Sequence, residues 1–364
     1  MAAPSKAPCR TLPREQRGAC KREQAVALQR RWLQELTWDA DGTAAQVQLW
    51  LGVFPVNWRQ LPDVGLLERQ IATIRRHLGG SYRELLTAML LDPALQISLN
   101  GPANHRHQPN ENLARELLEL FALGEGHYRE ADVRETARAL TGYRLTGEGE
   151  LTLDPRRHDA GAKTVLGRTA AFEASSLAAW LCEQPATARW IAGRLWRQLI
   201  GSPPPPQRIA ALAAQWQRQD LALPWLMAAL RHSPEAVRSR ELGLRLADPL
   251  ELVARTLRLL GSRHPDALAI GVRAAAAMGQ PPFEPPNVKG WPVNEEWLQL
   301  SWLQARRRSL QALLKHEEVW ESRTLGAELA ATLTPIPPLT LRLPATASRT
   351  AVGELLADPV WQLA

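Results

Sequence analysis

The chain has 364 residues, 45% of them hydrophobic and 22% charged, an ordinary composition for a globular protein and enough length to bury a sizeable core. Its net charge is +7, and of its 44 basic residues only five are lysine. Acidic and basic residues alternate along most of the chain and no nucleic-acid reader motif occurs, which argues against a nucleic-acid-binding role. No run of about 18 apolar residues is present, so no transmembrane helix is expected.

The first 24 residues read as a loose segment without the apolar core of a secretory signal. As the chain stands this implies a cytoplasmic protein, or an exported one if the true start lies upstream. Cys9, Cys20 and Cys182 are odd in number and lack metal-ligand spacing, so a structural disulfide is not expected and reducing surroundings are. Helical periodicity begins near Arg22, with Val26, Leu28, Trp32, Leu33 and Leu36 on one face. Further helices are expected over Thr43–Phe54, Leu66–Leu78 and Ser81–Leu91, the last two divided by Gly79-Gly80. His105 and His107 fall in a polar stretch and read as exposed loop histidines. No metal site and no cofactor is expected.

The stretch from Gln108 to Gly167 carries the most organised charge. Asn110 is placed to cap a helix opening at Glu111. At about 100° per residue, Glu111, Asn112, Arg115, Glu116 and Glu119 share an arc roughly 140° wide, and leucine and phenylalanine fill the rest. So narrow a polar stripe should face protein groups or a cleft. Gly124 and Gly126 end that helix, and a second runs from Asp132 to Gly142, with Glu135 and Arg138 three apart on one face. Tyr143–Leu145 and Leu151–Leu153 suggest a small hairpin that returns His158, Asp159 and Lys163 towards the helix pair.

Two readings of this unit stand. Glu111, Arg115, Glu119, Glu135 and Arg138 form a largely buried ionic clamp, or Glu116, Glu119, His158, Asp159 and Lys163 form a catalytic set. In the second, Glu116 or Glu119 is a general base, His158 a second acid–base group, and Arg115 with Lys163 an anion holder.

Beyond it, Ser176–Leu199 carries Trp180, Trp190 and Trp196 at helical intervals, which reads as core. Ser202 and the four prolines after it form a stiff break. More helices follow to His232, then one over Glu251–Leu260. The stretch PPFEPPNVKGWP cannot be helical, and its Asn287, Lys289 and Trp291 either edge a cleft or pin the last long helix, Glu295–Leu314. The segment 334–348 should be extended and 351–363 a short helix. The expected architecture is mainly α, a multi-helix globular bundle with one small β-hairpin insertion. Its parts are a helical domain over 25–201 and a C-terminal helical region over 207–364, packed as one unit.

PNENLARELLELFALGEG, ARALTGY, HDAGAKTVLG, PATARWIAGRLW and FEPPNVKGWP closely resemble a bacterial family called domain of unknown function 1800. The resemblance spans roughly Arg31 to Leu363 and implies a mostly helical, often exported protein. It also implies a link to partners of a sulfatase-like family, domain of unknown function 1501. One departure bears on chemistry. Where the family has aromatic-Trp-His-x-His-Phe, this chain has Leu49-Trp50-Leu51-Gly52-Val53-Phe54, and Ala44 stands where an acidic residue is usual. Leu51 and Val53 offer no lone pair to a metal or proton. A scaffold or partner-binding protein is therefore the first functional expectation, a hydrolase- or transferase-like enzyme, intact or degenerate, the second.

Overall fold

Helix α1, Arg14–Thr37, begins eight residues before the periodicity marks it, because its first turns meet solvent rather than core. In the computed structural model, which describes residues 9–146, 149–317, 334–338 and 348–364, that early start also corrects the cysteine expectation. Cys20 lies on α1, a short 3-10 turn over Cys9–Thr11 folds back beside it, and Cys9 and Cys20 form a disulfide. Only Cys182 is free, and it is buried. Of the segment expected to be loose, residues 1–8 lie outside the described residues and the rest is largely this stapled turn and helix.

The first helices are α2 (Thr43–Val53), α3 (Gly65–His77), α4 (Tyr82–Leu90) and α5 (Pro93–Ser98). Ser81 and Glu84 close a capping box on α4, and Asp92 caps α5 through the Leu95 amide. Next come α6 (Glu111–Glu116), a π-helical turn over Leu117–Ala122, and α7 (Glu130–Ala139), with α6 packed on α7. The described residues hold two small antiparallel hairpins where one was expected. Strands β1 (Tyr143–Leu145) and β2 (Leu151–Leu153) form the first, β3 (Lys163–Val165) and β4 (Arg168–Ala170) the second. The second turns through Leu166 and Gly167, both at positive φ, as the twist of a two-residue hairpin demands.

The stretch Ser176–Leu199, with its tryptophans at helical intervals, lies on two helices, α8 (Ala174–Glu183) and α9 (Pro185–Ile200). Pro185 forbids Gln184 a helical conformation and starts α9 at its first position. Helices α10 (Pro206–Arg218), α11 (Leu223–Arg231), α12 (Pro234–Leu242), α13 (Pro249–Leu260), α14 (Pro265–Ala277) and α15 (Leu300–Leu313) complete the bundle. A short helix, Arg349–Ala357, lies near the end. Most of the segment expected to be extended over 334–348 lies outside the described residues.

The architecture is mainly α with small β-hairpins. Trp32, Trp50, Trp196 and Trp216 are fully buried, and Trp50, Phe54 and Tyr82 stack on one another. Helix α1 lies against α13 and α14, and α9 against α10. Among the described residues no helix is long and apolar enough to cross a membrane.

Candidate functional site

The charged stretch 108–167 separates into three groups. On α6, Arg115 bonds Glu130 with both terminal nitrogens (2.8 and 2.9 Å) and Glu111 at 3.2 Å. Its side chain is 37% exposed and that of Glu130 64%, so this pair meets solvent and is not the buried clamp expected. On α7, Arg138 bonds Glu135 (2.8 Å) and Asp159 (2.7 Å), and the arginine holds the Asp159 carboxyl below its ordinary range. The five residues expected in one ionic cluster thus fall into separate sets, and Glu119 belongs to neither. Of the arc, Glu111, Arg115, Glu116 and Glu119 are half-buried and Asn112 is exposed, while Leu113, Leu117, Leu118, Leu120 and Phe121 are buried.

The residues after the first hairpin support backbone. His158 Nδ1 lies 2.9 Å from the Thr141 carbonyl, and the Asp159 amide donates to Thr141 Oγ1. Lys163 is 1% exposed, and its ammonium donates to the carbonyls of Asp159 and Phe172. Burial lowers its pKa, with Asp159 opposing.

The third group joins α6 to the proline-rich loop. Glu119 sits in the π-helical turn, where the Leu123 amide bonds the Leu118 carbonyl five residues back. The carbonyls this turn frees find side-chain donors: Trp190 Nε1 and Arg194 Nη1 both reach Leu120 O at 2.9 Å, and Tyr82 Oη reaches Phe121 O at 2.5 Å. Lys289 Nζ lies 3.5 Å from Glu119 Oε1, and Tyr128 Oη donates to Glu119 Oε2 at 3.3 Å. Burial raises the pKa of Glu116, with the Glu119 charge adding and Lys289 opposing. So Glu116, Glu119 and Lys289 come together, while among the described residues no bond links them to His158, Asp159 or Lys163.

The loop both pins and lines. Glu284 takes Trp58 Nε1 at 2.7 Å and pairs with Arg59 at 2.8 Å, and Phe283 packs on Trp32. Asn287 Oδ1 accepts from the Lys289 amide at 2.8 Å and closes the turn that ends at Gly290. Gly290, at φ +97°, would set a Cβ 2.9 Å from the Gly52 carbonyl, so loop and α2 meet backbone to backbone. Leu51 and Val53, on either side of Gly52, are both core residues (2% and 0% exposed), as is Ala44.

Gly52 and Trp291 line a cavity of about 740 Å³ that sequence reasoning missed. Its basic lining is Arg231, Arg240, Arg245, Arg255 and Arg258, and its carboxylates are Glu241, Asp248 and Glu251. Leu36, Leu49, Leu199, Leu250, Trp291 and Trp297 supply apolar wall. Arg245 and Glu251 form a bidentate pair at 2.6 and 2.9 Å. Arg258 donates to the carbonyls of Thr37 and Asp39 (both 2.7 Å), Arg255 to those of Leu363 and Trp361. Burial pushes the Arg255 guanidinium down to about 10, although Glu251 opposes. The signal for this site was the face of α13, where Glu251, Ala254, Arg255 and Arg258 recur at helical spacing. Its other members come from elements far apart in sequence.

Among the described residues no three of histidine, cysteine, aspartate and glutamate gather as a metal-binding group. No curated protein and no solved structure matches the chain. The family model described as "Protein of unknown function (DUF1800)" matches residues 2–362, nearly the whole length. The chain belongs to the DUF1800 family.

Proposed function

We propose that the protein is a helical scaffold or partner-binding member of its family, and that the charged unit of α7 and the hairpins is an internal clamp. One observation carries this reading: the lysine and histidine offered for catalysis are engaged in holding backbone, Lys163 on two carbonyls and His158 on Thr141. Lys163 is 1% exposed and spends its ammonium on two carbonyls, which withdraws it from any substrate, and the His158 ring is fixed against Thr141 through Nδ1. The reading also fits Leu51 and Val53, which fill core where the family resemblance implies histidine. The partner implied by the resemblance, a sulfatase-like protein of the family called domain of unknown function 1501, is the first candidate for a binding assay. Lys163→Met and His158→Gln should lower the melting temperature and weaken partner capture only as far as they loosen the fold. A hydrolytic or transfer activity abolished by His158→Gln at unchanged melting temperature would contradict the reading.

A second reading, an enzyme of hydrolase or transferase type, is favoured by one contact set: Glu116 and Glu119 beside Lys289 and Tyr128 at the loop edge. Glu116 would be the acid–base group, since its raised pKa moves it towards neutral pH. Glu116→Gln would then abolish turnover with little loss of stability.

A further inference from the structure

The cavity behind the proline-rich loop is charged in an unbalanced way. Arg245 is matched by Glu251, but the hydrogen-bond partners of Arg255 and Arg258 are backbone carbonyls, and Arg255 also stacks on Trp361. Among the described residues neither has a carboxylate within ion-pair distance. Carbonyls satisfy N–H donors and fix a guanidinium in place, yet they leave its formal charge uncompensated. Arg231 and Arg240, on α11 and α12, line the same space, and among the described residues neither guanidinium has a hydrogen bond or an ion pair. The carboxylates do not close the difference. Five arginines, Arg231, Arg240, Arg245, Arg255 and Arg258, face three carboxylates, Glu241, Asp248 and Glu251, and Glu251 is already taken by Arg245.

Arg255 Nε, Trp291 Nε1 and Trp297 Nε1 are buried without a hydrogen-bond partner, and all three side chains line the cavity. These three nitrogens are closed off from the space itself, so the wall offers a ligand its arginine charge and its apolar surface. Leu36, Leu49, Leu199 and Leu250 line the same space. A volume of about 740 Å³ is in the range of sites that enclose a whole small molecule.

We infer that this cavity binds an amphipathic anion, a carboxylate or phosphate head on an apolar body, with the head among Arg231, Arg240 and Arg255 and the body against the leucines and tryptophans. The head would match charge that the protein leaves unmatched, in a partly enclosed space where such interactions are stronger than in water. Burial lowers the Arg255 pKa, and Glu251 opposes this while Arg245 and Arg306 add to it. The site stands on these observations whether the chain is a scaffold or an enzyme.

The probes are dodecanoate, dodecyl phosphate, dodecanol and inorganic phosphate, each titrated calorimetrically below any micelle-forming concentration. One of the two anionic amphiphiles, or both, should bind one per chain, at least tenfold tighter than dodecanol or inorganic phosphate. Which of the two binds tighter identifies the head group. Arg240→Gln and Arg231→Gln should each weaken that binding about tenfold at a nearly unchanged melting temperature, since among the described residues neither guanidinium has a hydrogen bond or an ion pair. Arg255→Met should weaken it further. Dodecanol binding as tightly as the anions, neither anion binding, or affinities unmoved by the Arg231 and Arg240 substitutions would each overturn the inference.

Discussion

Arg115 on α6 and Arg255 on α13 each make several hydrogen bonds, and the partners differ in kind. Arg115 meets two carboxylates, Glu111 and Glu130, on a surface where its own side chain is 37% exposed. Its charge is matched and its pKa is raised, chiefly by the bond to Glu130. Arg255 meets two neutral carbonyls and stacks on Trp361 inside the fold, and burial pushes its pKa down to about 10. The first arrangement is electrostatically complete, the second needs something more. A dense set of charges in sequence is therefore a poor guide to a binding site, because charges placed close together match one another.

Asp92 extends the contrast to an acid, and carries the largest expected effect. It is 3% exposed and held by backbone amides, and burial pushes its carboxyl up to about 7. Between about pH 4 and 7 the folded chain keeps a proton that the unfolded chain has released, so this group's contribution is full below pH 4 and is lost as pH rises to 7. The loss is at most about 4 kcal/mol, since each pH unit between the unfolded and folded pKa values is worth roughly 1.4 kcal/mol. Asp92→Asn keeps the cap and should flatten that part of the pH–stability curve, measured by urea denaturation.

Next is α2, where the cavity face and the core face lie side by side. Leu51→His and Val53→His should each cost about 2–4 kcal/mol, from desolvation of the imidazole and lost packing. If one is tolerated and brings metal binding, a vestigial site is real and the core assignment fails. Glu251→Gln leaves the Arg245 charge unmatched at the cavity wall and should cost about 1–3 kcal/mol, less than a fully enclosed pair because Glu251 is 37% exposed. Arg115→Ala should cost under about 1 kcal/mol, as exposed pairs do. A larger loss there would restore the buried clamp to α6.

The sequence made the helices, the Asn110 cap and the half-buried arc on α6 legible, because each rests on contacts a few residues apart. It also showed that PPFEPPNVKGWP is not helical, from its prolines alone. Three things were hidden. The π-helical turn depends on Trp190, Arg194 and Tyr82 arriving from other helices to take its carbonyls. The Cys9–Cys20 disulfide depends on how a short turn folds back on α1. The cavity gathers arginines from α11, α12, α13 and the turn between them, and only the α13 pair sits at a readable spacing. Whether His158 and Lys163 faced a substrate or backbone was equally beyond reach, since both outcomes use the same residues.

The most direct test of the contrast is a matched pair of charge removals. Arg115→Gln and Arg240→Gln each delete one guanidinium, one from the complete set and one from the incomplete one. The measurement is the rise in melting temperature that saturating dodecyl phosphate or dodecanoate, whichever binds tighter, gives each variant. Arg115→Gln should keep the full rise seen in the unaltered protein, and Arg240→Gln should lose most of it. Equal losses in both variants would show that the anion answers only to net charge and would contradict the account.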